Sequence, residues 1–478
     1  MNIIEKYKGF SEPIKASIWF TVCSFLQKGI QFITVPIFTR MLTTEQYGLF
    51  NVFNSWLQIV MIFATLNLYC GVFNNGMLKY EDDRDRYVSS MQGVSTTVTL
   101  LCLGVYLLNT GFWNRILELP TVLVLAMFVE VLFIPAISFW SAKQRFDYKY
   151  KALVLLTIGM SIADPLIGIL AVMSTEYKGE AKILSAVLVQ VVVGLLIYIY
   201  NAFKGKSFYV KEYWKFAIAF NVPLIPHYLS QTVLNNSDRI IINQICGGHQ
   251  AGIYSVAYSA AMILSIINFS VNNSFIPWTY KKMKSEEYND IGKVANFILI
   301  LIAGMNLALI AFAPEAISIL APKQYFDAIW VIPPVAVSVY FMFMYTLFGN
   351  IEFYFEENKF VMFASIIGAI LNIVLNYMFI PIYGYIVAAY TTLGCYILYS
   401  VSHYIFMKRV IRDHVGKVDI YDLKFIFILS AVFMGMSAIL MFFYNHIVIR
   451  YLFILVLIVT AFVKKNDIIE KLKMLKNK

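Results

Sequence analysis

Long apolar runs separated by short polar gaps dominate the chain. A hydrocarbon core of about 30 Å needs about twenty helical residues. Read with that ruler, the sequence predicts fourteen spans, at 14–36, 46–72, 88–109, 118–141, 151–174, 180–203, 214–236, 252–275, 291–312, 328–350, 360–380, 385–407, 424–443 and 447–463. The runs lack the ten-residue alternation of a membrane β-barrel. The expected fold is therefore an all-α integral membrane protein.

Charge gives the bundle a direction. Of the 38 Lys and Arg residues, 30 fall in the two tails and the even gaps, 7 in the odd gaps, and Lys28 alone lies in mid-span. Cations concentrate on the cytoplasmic side of membrane proteins. The split predicts fourteen spans with both termini cytoplasmic, because one missed span would put every later gap on the wrong side. The net charge of +10 is thus used for orientation, and no nucleic acid partner is expected. Composition agrees: 60% of residues are hydrophobic, 14% are charged, and the mean hydropathy is +0.70. A soluble domain carries about 25% charged residues. The five cysteines are scattered without metal-ligand spacing, so no disulfide framework, metal site or cofactor is expected.

An internal echo divides the chain. Gln46-Tyr47-Gly48-Leu49-Phe50-Asn51-Val52 and Gln250-Ala251-Gly252-Ile253-Tyr254-Ser255-Val256 share Gln-x-Gly-aliphatic-aromatic-x-Val at an offset of 204 residues. Lys178-Gly179 and Tyr383-Gly384 repeat more weakly at 205. Six spans separate the copies, which implies a parallel repeat. The expected organisation is an N-lobe at 1–205 with spans 1–6, a C-lobe at 206–412 with spans 7–12, and 413–478 with spans 13 and 14 and a tail. Two facing lobes suit a rocking transporter.

Three blocks carry a resemblance. The first runs from Thr34-Val35-Pro36 through Thr39-Arg40-Met41-Leu42-Thr43 to Tyr47-Gly48. The second joins Val222-Pro223-Leu224-Ile225-Pro226, Ser237-Asp238-Arg239-Ile240-Ile241-Ile242 and Ala251 to Tyr258, continuing to Pro277-Trp278. The third is Pro381-Ile382-Tyr383-Gly384 to Thr392. Over nearly its whole length the chain resembles Wzx-type polysaccharide repeat-unit flippases, which serve O-antigen and capsule synthesis, in the polysaccharide transport family of the MOP exporter superfamily. The resemblance implies translocation of undecaprenyl-diphosphate-linked oligosaccharide across the bacterial cytoplasmic (inner) membrane by alternating access. It implies the bilayer, a polysaccharide polymerase and a chain-length regulator as partners. A MATE-like drug or cation antiporter and a lipid II flippase are the rival readings. A membrane polymerase or ligase is remote, since the external gaps are short and no catalytic constellation is visible.

Such cargo needs cations for its diphosphate and hydrogen-bonding groups for its sugars, because unpaired polar groups in hydrocarbon cost several kcal/mol. Lys28 is the first candidate, as a charge at the bilayer centre costs about 2.5–3.5 kcal/mol or more; snorkelling along the helix is the bland alternative. Arg40 and Arg239 are candidate diphosphate receivers, and His227 a cavity contact. Asp164, before the helix-breaking Pro165, is a candidate coupling group or charge partner for Lys28, and Asp238 a candidate partner for Arg239. Glu130 is expected to be paired. Asn235 and Asn272, in a cluster of asparagines, are candidate sugar contacts, with interhelical bonding as the alternative. Pro223 and Pro226 mark a candidate hinge.

Overall fold

A computed structural model describes residues 11–70 and 72–463. The tail lysines Lys6 and Lys8, and those from Lys464 onward, lie outside the described residues. By packing, the chain divides into two units, Met1–Gly252 and Ile253–Lys478.

The first unit holds α1 (Glu12–Met41), α2 (Thr44–Thr65), α3 (Val72–Lys79), α4 (Arg84–Leu108), α5 (Thr110–Leu117), α6 (Thr121–Phe146), α7 (Tyr150–Met173), α8 (Lys178–Gly205), α9 (Lys211–Asn221) and α10 (Ile225–Cys246). The helix α11 (Gly248–Lys284) starts there and carries the chain into the second unit. That unit continues with α12 (Tyr288–Ala311), α13 (Ala313–Leu320), α14 (Ile332–Tyr354), α15 (Asn358–Tyr383), α16 (Val387–His414), α17 (Leu423–Phe442) and α18 (Ile447–Val463). Among the described residues the regular structure is helical throughout. The fold is that of a multi-pass α-helical membrane protein.

Among the described residues, eleven helices are long and apolar enough to cross a membrane. Each of the other three expected spans also meets helix, but of a different kind. The 214–236 run is broken into α9, a 3-10 turn at Val222–Leu224, and α10. The 385–407 run is α16, whose length suffices but whose Tyr, Thr, Ser and His residues lower its hydropathy. The last run includes the shorter apolar segment Ile447–Val456.

Packing explains why the first unit extends to Gly252 rather than ending at 205. The apolar faces of α2, α4, α6 and α8 share a core around Phe53, Leu57, Leu123, Met127 and Ile183. The more polar α10 lies on α2 with Ser230, Ser237 and Asp238 buried. Asn221, at the α9 break, is fully buried and donates to the carbonyls of Leu66 (2.7 Å) and Asn67 (2.8 Å). Those two residues follow the end of α2 in the left-handed region, with φ of 52° and 50°. One asparagine thus joins two helix breaks and satisfies carbonyls that no helix serves.

The sequence repeat meets itself at the start of α2 and α11. A Cβ on Gly48 would lie 2.0 Å from the Gly248 carbonyl oxygen, and one on Gly252 would lie 2.1 Å from that of Thr44. Gly252 is 204 residues beyond Gly48, and Gly248 is 204 beyond Thr44, so the two approaches are the same contact seen from each copy. Small residues let helix backbones come this close. Thr44 Oγ1 and His249 Nδ1, 2.5 Å apart, close the crossing.

The second unit is organised around α14, whose residues are mostly buried and which packs along α16, α12 and α17. Polar groups tie it to its neighbours: Asn268 donates to the Val339 carbonyl, Ser400 to that of Phe341, and Tyr421 to that of Leu347. Glu352 and His403 form a fully buried pair, with Nδ1 3.0 Å from both carboxylate oxygens.

Candidate functional site

Inside the first unit, α1, α6, α7 and α8 enclose a cavity of about 400 Å³. Helical periodicity puts its lining together. The α1 wall is Gln27, Ile30, Gln31 and Thr34, at positions i, i+3, i+4 and i+7. The α7 wall is Leu153, Leu156, Thr157, Met160, Ser161 and Asp164, on the same rhythm. Ser138, Ser141 and Arg145 come from α6, Gln190 from α8, and Tyr69 from the segment after α2. A lining this rich in amides and hydroxyls is foreign to hydrocarbon. It makes a wet or ligand-filled chamber between membrane helices.

Asp164 and Pro165 sit in the α7 wall. Pro165 has no N–H, so the carbonyl of Ser161, one turn back, loses its helical donor beside the cavity. The Asp164 carboxylate accepts a hydrogen bond from Lys182 Nζ at 3.0 Å. Lys182 is buried, its side chain 3% exposed against 42% for Asp164. Its ammonium lies 4.5 Å from the ring centre of Phe38 and 5.1 Å from that of Phe50. Gly168, one turn beyond Asp164, leaves the room: a Cβ there would stand 2.9 Å from the Phe38 ring and 3.2 Å from Lys182 Nζ. The chamber therefore ends on a lysine held by a carboxylate and two π faces.

The partner of Asp164 is therefore Lys182, not Lys28. Lys28 is exposed on α1 and does not line the chamber. Helical geometry gives the reason: 100° of rotation separates it from Gln27, which does. Lys182 stands near the start of a span, where charge pattern alone groups it with the external cations. Its tell was its place inside the apolar run 180–203. Glu130 is buried on α6 and carries no ion pair among the described residues, contrary to the expectation that it is paired.

The other candidates lie outside this chamber. Arg40 donates to the Pro36 carbonyl (2.8 Å) at the end of α1. Arg239 donates to the Asn235 carbonyl and to Asn236 Oδ1, and Asp238 beside it is buried. Asn235 donates to the Gln231 carbonyl. Asn272 accepts from Asn350 Nδ2 (2.8 Å), which is the interhelical bond. His227 follows the 3-10 turn that contains Pro223, and Pro226 lies in the first turn of α10. The Nδ1 of His227 is buried without a partner among the described residues.

A family model described as a polysaccharide biosynthesis protein matches residues 14–283. The chain belongs to that family. Curated relatives are similar to it over most of their length. It is 21% identical over 371 residues to Lsg locus putative protein 1 of Haemophilus influenzae, covering 75% of this chain and 89% of the relative. It is 21% identical over 419 residues to the capsular polysaccharide biosynthesis protein CapF of Staphylococcus aureus, covering 84% and 99%. In fold it is similar to the lipid II flippase MurJ in an inward closed conformation, with a TM-score of 0.64 and 13% identity, covering 92% of this chain and 100% of that one. An inward-facing MATE multidrug transporter of the MOP superfamily gives a TM-score of 0.62 and 13% identity, covering 84% and 96%. At such identities the two structures speak for the fold alone.

Proposed function

We propose that this polysaccharide biosynthesis protein is a flippase. Its cargo is an undecaprenyl-diphosphate-linked oligosaccharide repeat unit, carried across the bacterial cytoplasmic membrane by alternating access for capsule or O-antigen assembly. The observation that carries the reading is the chamber around Asp164: hydroxyl and amide groups enclosed by membrane helices serve a polar cargo, which is what the sugar head of a lipid-linked precursor is. Membership of the family and the likeness to CapF support a cargo of this class. The prenyl tail stays in lipid while the head crosses in a polar environment, so the protein needs binding groups and no nucleophile. Within this reading Lys28 and Arg40 are cations that receive the diphosphate on its way, and the break at Pro223 and Pro226 is where α9 and α10 bend during the cycle.

The test is deletion of the gene in its own cells. The expected result is loss of surface polysaccharide with accumulation of lipid-linked repeat units on the inner leaflet, reversed by the wild-type chain. Normal surface polysaccharide with no accumulation overturns the reading. Drug sensitivity as the sole defect points instead to an antiporter.

A further inference from the structure

The cation that the chamber offers a ligand is Arg145. Four neighbouring cations in this part of the first unit have a carboxylate. Lys143 pairs with Asp85, Arg84 with Glu81 and Asp147, Arg86 with Asp83, and Lys149 with Asp147. Arg145 lines the chamber and has no ion pair among the described residues; its guanidinium carbon stands 5.9 Å from the ring centre of Phe20. The amides of Gln27, Gln31 and Gln190 line the same chamber and likewise make no side-chain hydrogen bond among the described residues. By contrast, the Ser161 hydroxyl is already committed to the Thr157 carbonyl (2.7 Å), and Asp164 to Lys182. The unspent groups therefore include one guanidinium and three amides, with the hydroxyls of Ser141 and Thr157 and the Tyr69 side chain beside them among the lining residues.

That set has a chemical complement. A guanidinium fits a phosphate through two parallel hydrogen bonds. An amide presents a donor and an acceptor together, which matches a ring hydroxyl that is both. An aromatic face takes the apolar side of a sugar ring. A volume of about 400 Å³ lies in the ordinary range of small-ligand pockets, about 300–1,000 Å³. It admits a sugar with its phosphate. Arg145 also follows Lys143 in a cation-rich gap that the charge pattern puts on the cytoplasmic side, where a precursor would enter.

We propose that this chamber is a sugar-phosphoester subsite, in which Arg145 holds the phosphate and Gln27, Gln31 and Gln190 read the adjoining sugar. The proposal rests on the flippase reading for its place in a cycle. Its chemistry is shared by a lipid-linked sugar and a soluble nucleotide sugar, and the experiment separates the two.

The full-length protein is made in its own cells with p-benzoylphenylalanine replacing Gln31, or Gln27 in a second variant, and with Leu170, on the exposed face of α7, as the control position. Cells are fed labelled sugar and, separately, a labelled isoprenoid precursor, then irradiated. The expected result is an adduct at position 31 or 27, absent at 170, that carries both labels. Arg145→Gln should cut its yield at least tenfold, and Arg145→Lys should restore part of it. An adduct with sugar label and no isoprenoid label keeps the subsite and removes the flippase reading. No adduct at either position, in protein that still supports surface polysaccharide, overturns the subsite and leaves the flippase reading standing. An adduct indifferent to Arg145→Gln also overturns it.

Discussion

The first unit holds the Asp164–Lys182 pair at the edge of a polar chamber, whereas the second seals the Glu352–His403 pair among aromatic rings. Asp164 keeps 42% of its side chain accessible and leans on a buried Lys182. Glu352 and His403 are 0% and 1% exposed, and the rings of Tyr345, Tyr399 and Phe360 stand 4.5–5.5 Å from that of His403. The cavities beside the two pairs differ in the same sense. A cavity of about 490 Å³ between α15 and α16 is lined largely by Phe, Ile, Leu and Ala. The difference teaches that a pair of titratable groups inside a membrane protein is not in itself a site. What decides is whether the surrounding atoms leave room and hydrogen-bonding capacity for something else.

The comparison breaks most readily at the sealed pair. Removing one partner of a buried pair strands the other, at about 3–5 kcal/mol. His403→Leu should therefore lower stability by about that much in reversible denaturant unfolding in mixed micelles. The double variant Glu352→Leu with His403→Leu should regain most of the loss. A single-variant loss below about 1 kcal/mol would mean that water reaches the pair, and the contrast between units would fail.

The next effect belongs to the repeat. Gly252→Ala places a methyl group about 2 Å from the Thr44 carbonyl oxygen, and overpacking of this kind costs about 1–3 kcal/mol or more. Gly48→Ala should match it, since each residue makes the other's contact. Unequal losses would show that the crossing is not a symmetric consequence of the duplicated motif. Asn221→Leu comes close behind, at about 2 kcal/mol, because it leaves the Leu66 and Asn67 carbonyls without donors.

The open pair should yield less. Asp164→Asn keeps an acceptor for Lys182 and remains in contact with the chamber, so a stability loss of about 1 kcal/mol is expected. Delivery of surface polysaccharide, measured against protein level in the membrane, should fall much further than that loss predicts. A variant that loses stability and delivery in proportion would reduce Asp164 to a structural acid.

Much of this was legible in the apolar runs. Each of the fourteen corresponds to helix, because twenty apolar residues in lipid have no other way to satisfy their backbones. The duplicated Gln-x-Gly motif was legible as a repeat, but not as a contact. A sequence shows that Gly48 and Gly252 are alike, not that their backbones touch. The chamber was half legible. Asp164 stood out because a carboxylate in an apolar run is rare, whereas Gln27, Gln31, Gln190 and Arg145 did not. Each is unremarkable along the chain, and only the rotation of four helices brings them onto one wall. The partner of Asp164 is illegible along the chain for the same reason. Lys28 and Lys182 are both lysines near or within spans, and choosing between them takes the facing of α1, which one residue of rotation reverses.

Lys28 gives the smallest effect on stability and the sharpest test of that facing. It is exposed on α1 with no ion pair among the described residues, so Lys28→Ala removes no contact. It also removes a charge that costs about 2.5–3.5 kcal/mol at the bilayer centre. The unfolding midpoint should stay where it is or rise. A residue kept there for transport would behave differently in the second assay: surface polysaccharide should be lost at unchanged protein level, and Lys28→Arg should restore part of it. If Lys28→Ala delivers normally, the cation that receives the diphosphate lies elsewhere, and Arg145, the unpaired guanidinium of the chamber, becomes the residue on which recognition of the cargo depends.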